Sequence, residues 1–442
     1  MAWVSIPRLK ALERGFLARS PEEVGNYQLD RLNHEWAKAV RSIPYYVSLA
    51  EKNALPGRFA SLREFVEAVP PLTREVLQQR DERYWHDAPR PNHRRTTGGS
   101  TASPIQMPAW RREFRHTRLD PWLGRSWFGV SPRDRLFLFW GHSHLLGEGW
   151  RGRVNAWVRA GKDRLQNYVR YSAYDMSEPA LRKGLERLQR SQPDFVIGYS
   201  RYLDELARTA EDWGSPSRAL SLKAVIAAAE EFPAPDSRDQ IESLFGAPVG
   251  MEYGAVETGL IAHSRPEGDY RVFWHNYLLE YHGEGRQEVF VTSLFPRCTP
   301  LFRYRLGDHF ELGESAEKAA DCSVLSFERV VGRSNLAVTL PSGRTLHSES
   351  ISHIARGQPK VLAYQFLCAP DGVTLRLRIK GPLDDHEVAS IRRLAGLVDP
   401  QLGAALQVVT VANLERTLAG KTPMVIVDPA LTSARGTSPE AT

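Results

Sequence analysis

The sequence predicts an α/β protein with a large N-terminal part and a smaller, separate α+β unit near the C-terminus. With 442 residues, the chain is too long for one ordinary hydrophobic core, so more than one domain is expected. From about Asp134, short apolar runs alternate with helical patterns, which is typical of a parallel or mixed sheet. Near Gly332 the pattern changes to several strands around one long helix, which indicates a second unit.

The predicted elements fall into three stretches. Up to about residue 90 the chain is predicted to be helical, because apolar residues such as Leu29, Leu32 and Trp36 recur at helical spacing. The middle stretch alternates strands and helices, predicted at 136–140, 179–188, 195–197, 202–213 and 224–227. The last stretch surrounds a helix at 385–397 with strands at 336–340, 361–367, 373–379 and 407–411. We therefore expect a large domain over 1–332, a small domain over 333–430 and a disordered tail over 431–442.

The composition is that of a globular protein and argues against several classes. Hydrophobic residues make up 42% and charged residues 25% of the chain, and the net charge is +6. The positive charge is scattered among 52 acidic residues, which favours anionic substrates over a nucleic-acid partner. The three cysteines are far apart, and the N-terminal segment lacks a secretory pattern. We expect a cytoplasmic protein without a nucleic-acid or membrane partner.

Three segments combine glycine with polar or aromatic side chains. The segment 96–104, TTGGSTASP, offers amides and hydroxyls to phosphates but lacks the ending of a Walker loop. In 252–258, EYGAVET, Tyr253 could stack on a base while Glu257 reaches a Mg²⁺ ion. In 304–308, YRLGD, Asp308 follows a predicted glycine turn and could accept two ribose hydroxyls. Each segment taken alone is equally compatible with an ordinary turn or strand end.

A fourth segment, RTLAGK at 416–421, lies near the C-terminus. Its Lys421 is a single cation that comes from a different part of the chain than the glycine-rich segment 96–104. A lysine is positively charged at neutral pH and can stabilise negative charge that develops in a reaction. A chain that carries both segments is predicted to use a nucleoside triphosphate.

In this order, the four segments resemble the adenylate-forming superfamily, and most of all its phenylacetate-CoA ligase and CapK-type branch. The resemblance covers about residues 60–428 and includes further segments with the sequences PPLTRE, PDFVIGYS, AAE and GRSN, at 70–75, 193–200, 228–230 and 332–335. It implies a large multi-layer N-terminal domain of mixed sheets and helices, followed by a small α+β cap that rotates about Asn335.

The resemblance also implies roles for individual residues. The β- and γ-phosphates of ATP would be held by Thr96, Thr97, Gly98, Gly99, Ser100 and Thr101. The adenine site would be formed by Glu230, Tyr253 and Gly254, and the ribose side by Asp308 and Arg333. Glu257 would hold Mg²⁺, and Lys421 would bridge the attacking carboxylate and the α-phosphate as the catalytic lysine.

The segment 140–147, WGHSHLLG, occupies the position of the family's acyl pocket. It makes His142 a candidate catalytic residue, and an aromatic lining of this pocket would favour an aromatic acid. For Trp140, a position in the hydrophobic core is the alternative. Zinc is not expected, because the pair His142 and His144 lacks an evident third ligand in the sequence.

Four positions depart from the family pattern, namely Ala102, Ser103, Val256 and Asn335. The resemblance implies a ligase that uses ATP and Mg²⁺ and transfers an acyl group, with CoA as the favoured acceptor. An amine or hydroxyl acceptor is the alternative, and the departures keep open a nucleotide-binding pseudoenzyme. The sequence is compatible with a monomer or a homodimer.

Overall fold

The structure is a computed structural model, and it confirms the predicted α/β class. It describes residues 4–79, 82–86, 88–96, 105–141, 149–213, 220–282, 286–320, 322–331, 337–340, 344–347, 354–355, 358, 360–369, 371–379, 381–412, 414–415 and 424–428. In the described part, the α-helices are α1 Ile6–Ala18, α2 Pro21–Ser42, α3 Pro44–Lys52, α4 Leu62–Ala68, α5 Arg74–Gln78, α6 Phe114–Thr117, α7 Asp120–Ser126, α8 Gly149–Leu165, α9 Glu178–Ser191, α10 Ser200–Asp212, α11 Ser237–Phe245, α12 Asp385–Val398 and α13 Pro400–Ala405.

The N-terminal stretch is helical, as predicted. Helix α2 begins at a capping box, in which the Ser20 hydroxyl accepts from the Glu23 amide and the Glu23 carboxylate accepts from the Ser20 amide. The buried face of α2 carries Trp36, whose ring lies 5.3 Å from that of Phe302. Burial of this aromatic pair attaches the helical layer to the segment that leads into strand β12, Tyr304–Glu311.

The largest sheet has eight strands within the described residues, in the order β15-β9-β8-β7-β6-β5-β3-β4. The strands are β3 Leu136–Phe139, β4 Tyr168–Tyr171, β5 Phe195–Tyr199, β6 Ala224–Ala228, β7 Val249–Ala255, β8 Gly259–Ser264, β9 Tyr270–Val272 and β15 Ser326–Phe327. Strands β3 to β7 pair in parallel, and β7, β8, β9 and β15 pair antiparallel. The predicted mixed sheet is therefore present, and its central parallel strands β5 and β6 are buried along their whole length.

A second sheet has the order β10-β11-β12-β16, from the strands β10 Tyr277–Leu279, β11 Arg286–Ser293, β12 Tyr304–Glu311 and β16 Arg329–Val331. The segment 70–75 is attached to it by backbone hydrogen bonds. The Leu72 amide donates to the Arg303 carbonyl at 3.0 Å, and the Arg305 amide donates to the Leu72 carbonyl at 2.9 Å. These bonds position α5 directly beside β12.

The remaining strands form smaller sheets. Two-stranded sheets pair β1 His93–Thr96 with β2 Gln106–Ala109, β13 Lys318–Ala320 with β14 Ser323–Val324, and β17 Ala337–Thr339 with β18 Thr345–His347. A four-stranded sheet near the C-terminus has the order β21-β20-β19-β22, from β19 Val361–Ala369, β20 Gly372–Ile379, β21 Gln407–Thr410 and β22 Val425–Val427. The predicted strands and helix of this region are all observed, with bounds shifted by one or two residues.

The C-terminal strands have a hydrophobic core of their own. It runs from Leu340 to Val425 and contains the buried residues Phe366, Leu375 and Ile391. Arg344 donates to Asp399 at 2.7 Å within this region and to Asp175 of the large N-terminal part at 2.6 Å. A separate core is what an independent small domain requires, so the predicted division near residue 333 stays our working proposal.

Among the helices of the described residues, none combines the length and the hydropathy that crossing a membrane requires.

Candidate active site

The candidate site begins at one edge of the eight-stranded sheet. Strands β3, β5, β6 and β7 are parallel neighbours, in register at Phe139 with Gly198, Gly198 with Ala227, and Ala227 with Met251. Their carboxyl ends therefore meet at the same edge, where open α/β sheets bind ligands.

Just after the end of β6, Glu230 is fixed by two contacts from the start of α10, which directly follows β5. The Ser200 hydroxyl donates to the Glu230 carbonyl at 2.8 Å, and the Arg201 amide donates to Glu230 Oε1 at 3.1 Å. The preceding Ala229 has a φ of +74°, a left-handed conformation that costs an alanine about 1 kcal/mol. The connection out of β6 is thus held in a strained shape that directs Glu230 to the sheet edge.

Tyr253 and Asp308 come from different sheets and meet at this edge. The Tyr253 hydroxyl donates to Asp308 Oδ2 at 3.4 Å. Asp308 was expected after a glycine turn, and this detail is wrong, because Gly307 and Asp308 both lie within β12. In the pairing of β12 with β11, Arg305 faces Phe290 and His309 faces Glu288, so Val289 alone faces the three residues 306–308. This β-bulge, with Gly307 at a φ of +84°, directs the Asp308 carboxylate towards Tyr253.

Glu257 follows β7 and is buried, with 4% of its surface exposed. Its Oε1 accepts a hydrogen bond from Arg74 Nη1 at 3.0 Å and another from the Tyr304 hydroxyl at 3.3 Å. The Arg297 guanidinium donates to the backbone carbonyls of Glu257 and Thr258. The carboxylate is thus neutralised by one arginine while a second arginine holds the backbone that carries it.

Arg297 is itself fully buried. Burial, with the nearby Arg95 as a second cause, lowers the pKa of Arg297 to about 10. The guanidinium therefore remains charged at neutral pH and can keep both hydrogen bonds to the turn 257–258.

The start of the glycine-rich segment lies beside Glu257. Thr96 is the last residue of β1, and the preceding Arg95 donates from Nη1 to the Val256 carbonyl at 3.2 Å. Arg95 also forms a buried ion pair with Glu113 at 3.5 Å. The chain is therefore anchored at Thr96, next to the turn that carries Glu257.

Several predicted site residues lie outside the described residues. These are Thr97, Gly98, Gly99, Ser100, Thr101, His142, Arg333 and Lys421, together with the departures Ala102, Ser103 and Asn335. Their roles stay predictions, and only Thr96, Glu230, Tyr253, Gly254, Glu257 and Asp308 can be placed.

Strand packing explains why a glycine stands at position 254. A Cβ atom at this position would lie 2.3 Å from the Gly259 carbonyl oxygen of β8, which is closer than any side chain permits. The pairing of β7 with β8 is irregular at this point, between Tyr253 and Gly254. The glycine is thus required for the two strands to approach each other, and its predicted contribution to nucleotide binding is not needed to explain it.

An aromatic pair lies at the same edge, before the segment that contains His142. Trp140 follows β3 and Tyr199 ends β5, and their rings stack at a centroid distance of 4.3 Å. The Tyr174 hydroxyl donates to the carbonyl of Gly141, where a Cβ atom would overlap the tyrosine ring. The backbone leading to His142 is therefore held against a flat aromatic surface.

Sequence reasoning missed four of these residues, namely Arg74, Tyr199, Arg297 and Tyr304. Arg74 and Tyr304 stand inside segments that were singled out, but their common partner Glu257 is 183 and 47 residues away. Neither separation has a periodicity that could reveal the contact. Tyr199 stands inside the segment 193–200, which was singled out for the family resemblance without a role for this side chain.

The donor set can be tested against the Mg²⁺ ion that the fold family implies. No group of three or more His, Cys, Asp or Glu side chains that could hold a metal ion occurs in the part of the chain that is described. Mg²⁺ is commonly bound by one or two protein carboxylates together with substrate phosphates and water, so one buried carboxylate next to bound phosphates suffices. Glu257, beside the end of β1, fits such a site by type and location.

With this geometry in place, the chain can be compared with known proteins. No protein-family profile matches it. CapK from Staphylococcus aureus is 27% identical over 172 residues, which span 38% of this chain and 38% of CapK. The match thus covers well under two thirds of that relative.

Solved structures extend the likeness to nearly the whole chain. A 2-hydroxyisobutyryl-CoA ligase in an open conformation, in complex with 2-HIB-AMP and CoA, has a TM-score of 0.56 and 17% identity, and 91% of each chain is covered. The same ligase in its thioesterification state also has a TM-score of 0.56 and 17% identity, with 94% of this chain and 92% of that chain covered. The chain therefore has the fold of the AMP-forming ligases.

Proposed function

We propose that the chain is an AMP-forming ligase of the adenylate-forming superfamily. It activates a small aromatic carboxylic acid with ATP to an acyl-adenylate and transfers the acyl group to an acceptor, with CoA favoured. The observation that carries the proposal is the convergence of Tyr253, Asp308 and Glu257, from two sheets, at the carboxyl edge of the parallel strands. The fold that this chain shares with a ligase solved in complex with an acyl-AMP and CoA supports the proposal.

In this proposal, the residues at the sheet edge bind and orient ATP. The Asp308 carboxylate accepts from the ribose hydroxyls, and its hydrogen bond to Tyr253 keeps it at the sheet edge. Tyr253 and Glu230 line the adenine site, and Thr96 begins the segment that holds the phosphates. Arg333, outside the described residues, belongs to the ribose side.

The reaction needs positioning and charge neutralisation more than covalent chemistry by the protein. A carboxylate oxygen of the acid attacks the α-phosphorus of ATP, the bond to the β-phosphate oxygen breaks, and pyrophosphate leaves. Lys421 stabilises the negative charge that develops between the acid and the α-phosphate. Mg²⁺, when bound, neutralises phosphate charge, and Glu257 would hold it.

An aromatic acid is supported by the stacked pair of Trp140 and Tyr199. Flat aromatic surfaces favour ring-shaped ligands through offset or edge contacts. His142 lies two residues beyond Trp140 and would act at the carboxylate end of the acid.

CoA is the favoured acceptor because the ligase with the same fold was solved with CoA. The alternative is an amine or hydroxyl acceptor in a CapK-type ligase, and the local identity with CapK favours it. A nucleotide-binding pseudoenzyme is the further alternative, since Val256 stands where a hydroxyl would contact the α-phosphate. We further propose that region 333–430 acts as a mobile cap carrying Lys421, and that the protein works in the cytoplasm as a monomer or homodimer.

The test is ATP–pyrophosphate exchange across a panel of carboxylic acids, followed by addition of CoA or amines to the acids that respond. We expect aromatic acids to support exchange and Lys421→Ala to lower it on the order of a hundredfold or more. Lys360→Ala is the matched control, because Lys360 is a lysine of the same region that pairs with Glu387 at 2.8 Å. Exchange that is equal in both variants contradicts the role of Lys421. Nucleotide binding without exchange for any acid would favour the pseudoenzyme.

A further inference from the structure

Helix α8 carries an exposed apolar stripe. The side chains of Trp150, Val154, Trp157, Val158 and Leu165 are exposed by 71%, 50%, 83%, 47% and 74%. Their spacings of three, four and seven residues place them on one face of the helix. Scattered single apolar side chains on a surface are ordinary, whereas a contiguous stripe of this kind marks an interaction site.

The opposite face of α8 attaches the helix to the protein. Asp163 lies nine residues after Val154, which is half a turn out of phase with the stripe, and it accepts from Arg170 Nε of β4 at 2.8 Å. Arg159 and Gln166 are half-buried and lie on this same face. Because β4 is the edge strand of the eight-stranded sheet, the stripe points away from that attachment.

Positive charge borders the stripe on both sides. Lys162 lies four residues after Val158, at one edge of the stripe, and Arg164 lies seven residues after Trp157, at the other. Both side chains are exposed. The helix contains five basic residues and one acidic residue, Asp163, which faces β4.

We propose that α8 is an interfacial helix that docks this protein on the surface of an anionic phospholipid bilayer. Tryptophan and aliphatic side chains enter the boundary between headgroups and acyl chains, while lysine and arginine at the edges contact lipid phosphates. Such a helix lies in the plane of the surface and needs no membrane-spanning length. The proposal replaces the sequence-based expectation of no membrane partner, and it does not depend on the proposed ligase activity.

A second copy of the chain is the less favoured occupant. If two α8 helices packed stripe against stripe, the basic edges that contain Lys162 and Arg164 would face each other. Like charges in contact oppose association. The acidic residue of α8, Asp163, pairs with Arg170 of β4 and cannot neutralise the positive charges of Lys162 and Arg164. The charge pattern complements an anionic surface.

The experiment is flotation of the full-length protein with vesicles of phosphatidylcholine alone or of an equimolar mixture with phosphatidylglycerol, at low and high salt. We expect binding to the anionic vesicles only, and weaker binding at high salt. Trp157→Gln should lower the partition coefficient on the order of tenfold, from the lost apolar area. Lys162→Gln with Arg164→Gln should lower it about twenty-five-fold, since each basic residue near an anionic surface contributes about a fivefold effect.

Leu17→Gln is the matched control, because Leu17 is 65% exposed on a different helix, α1. Thermal unfolding of each variant verifies that it is folded, and the two sets of substitutions probe the surface independently. Equal binding to neutral and anionic vesicles, or an equal loss with Leu17→Gln, overturns the proposal. Absence of binding to either kind of vesicle also overturns it. The same holds if light scattering detects a concentration-dependent dimer that Trp157→Gln abolishes.

Discussion

The candidate site has two parts that hold their carboxylates in opposite ways. In the paired part, Glu257 is buried and shares one oxygen between Arg74 and Tyr304, while Arg297 holds its backbone. In the accessible part, Asp308 is half-buried on a strand bulge, and its carboxylate accepts a long hydrogen bond from Tyr253.

This difference predicts that the paired part affects the stability of the fold, whereas the accessible part affects ligand binding. Removing one partner of a buried ion pair leaves an uncompensated charge, so the paired part contributes to folding as well as to the proposed chemistry. The accessible carboxylate can be neutralised without leaving a buried charge, so it should affect ligand binding with little change in the free energy of unfolding. Three measurements test this contrast.

The largest effect is expected from Arg74→Ala. The variant leaves the Glu257 carboxylate buried without its guanidinium, and we expect the free energy of unfolding to fall by about 3–5 kcal/mol. Chemical denaturation measures this change. The double variant Arg74→Met with Glu257→Gln should recover part of the loss, because neither charge is then left alone.

Arg305→Ala serves as the control for the paired part. Arg305 pairs with Glu288 at 2.6 Å, but its side chain is more than half exposed, so the loss should stay below about 1 kcal/mol. If Arg74→Ala and Arg305→Ala lower the free energy of unfolding by similar amounts, burial of the ion pair at Glu257 does not increase its contribution to stability.

An intermediate effect is expected from His263, whose imidazole is fully buried. Its Nδ1 donates to the Ser264 carbonyl at 2.7 Å, and burial lowers the pKa of His263 to about 4. In the unfolded chain the imidazole takes up a proton below about pH 6.5, whereas in the folded chain it stays neutral until about pH 4. Stability is therefore present above pH 6.5 and is lost as the pH falls towards 4, by about 3 kcal/mol.

The comparison variant for the pH experiment is His263→Gln, which keeps a neutral donor and has no titration in this range. The difference in the free energy of unfolding between pH 7 and pH 4.5 should be smaller in the variant than in the parent protein. An identical pH dependence in both proteins would mean that other groups cause the acid sensitivity.

The smallest effect on stability is expected from Asp308→Asn in the accessible part. Loss of the carboxylate weakens the hydrogen bonds to the ribose, so KM for ATP should rise about tenfold or more. The free energy of unfolding should change by less than about 1 kcal/mol. Glu311→Gln on the same strand, which breaks the exposed pair with Arg329, should alter neither quantity. Unfolding of the Asp308→Asn variant under native conditions would erase the distinction between the two parts.

The secondary structure was largely predictable because its causes are local. The strands β3, β5 and β6 are short runs of apolar residues, and the helices α9 and α10 repeat such residues at helical spacing. The candidate residues Tyr253 and Glu257 were also identified, because a glycine, an aromatic residue and a carboxylate occur within a few positions of each other.

The glycine turn predicted before Asp308 shows where such reasoning ends. Gly307 correctly indicated a break in the regular structure. Because β11 pairs with β12 on both sides of this break, however, the chain forms a bulge in a continuing strand and not a turn. Whether a glycine ends a strand or bends it depends on a neighbouring strand about 20 residues away, which local pattern does not specify.

The α/β class, the order of the elements and the residue types suited to nucleotide chemistry could be derived from the amino-acid sequence, because periodicity and short motifs are properties of neighbouring residues. Which of these side chains share an environment depends on the tertiary fold. Arg74 neutralises Glu257 across 183 residues, Asp308 meets Tyr253 across 55, and the stripe of α8 stays exposed because the helix attaches to β4 through its opposite face. These outcomes depend on the packing of distant elements, and burial, charge pairing and exposure are fixed only when that packing is complete.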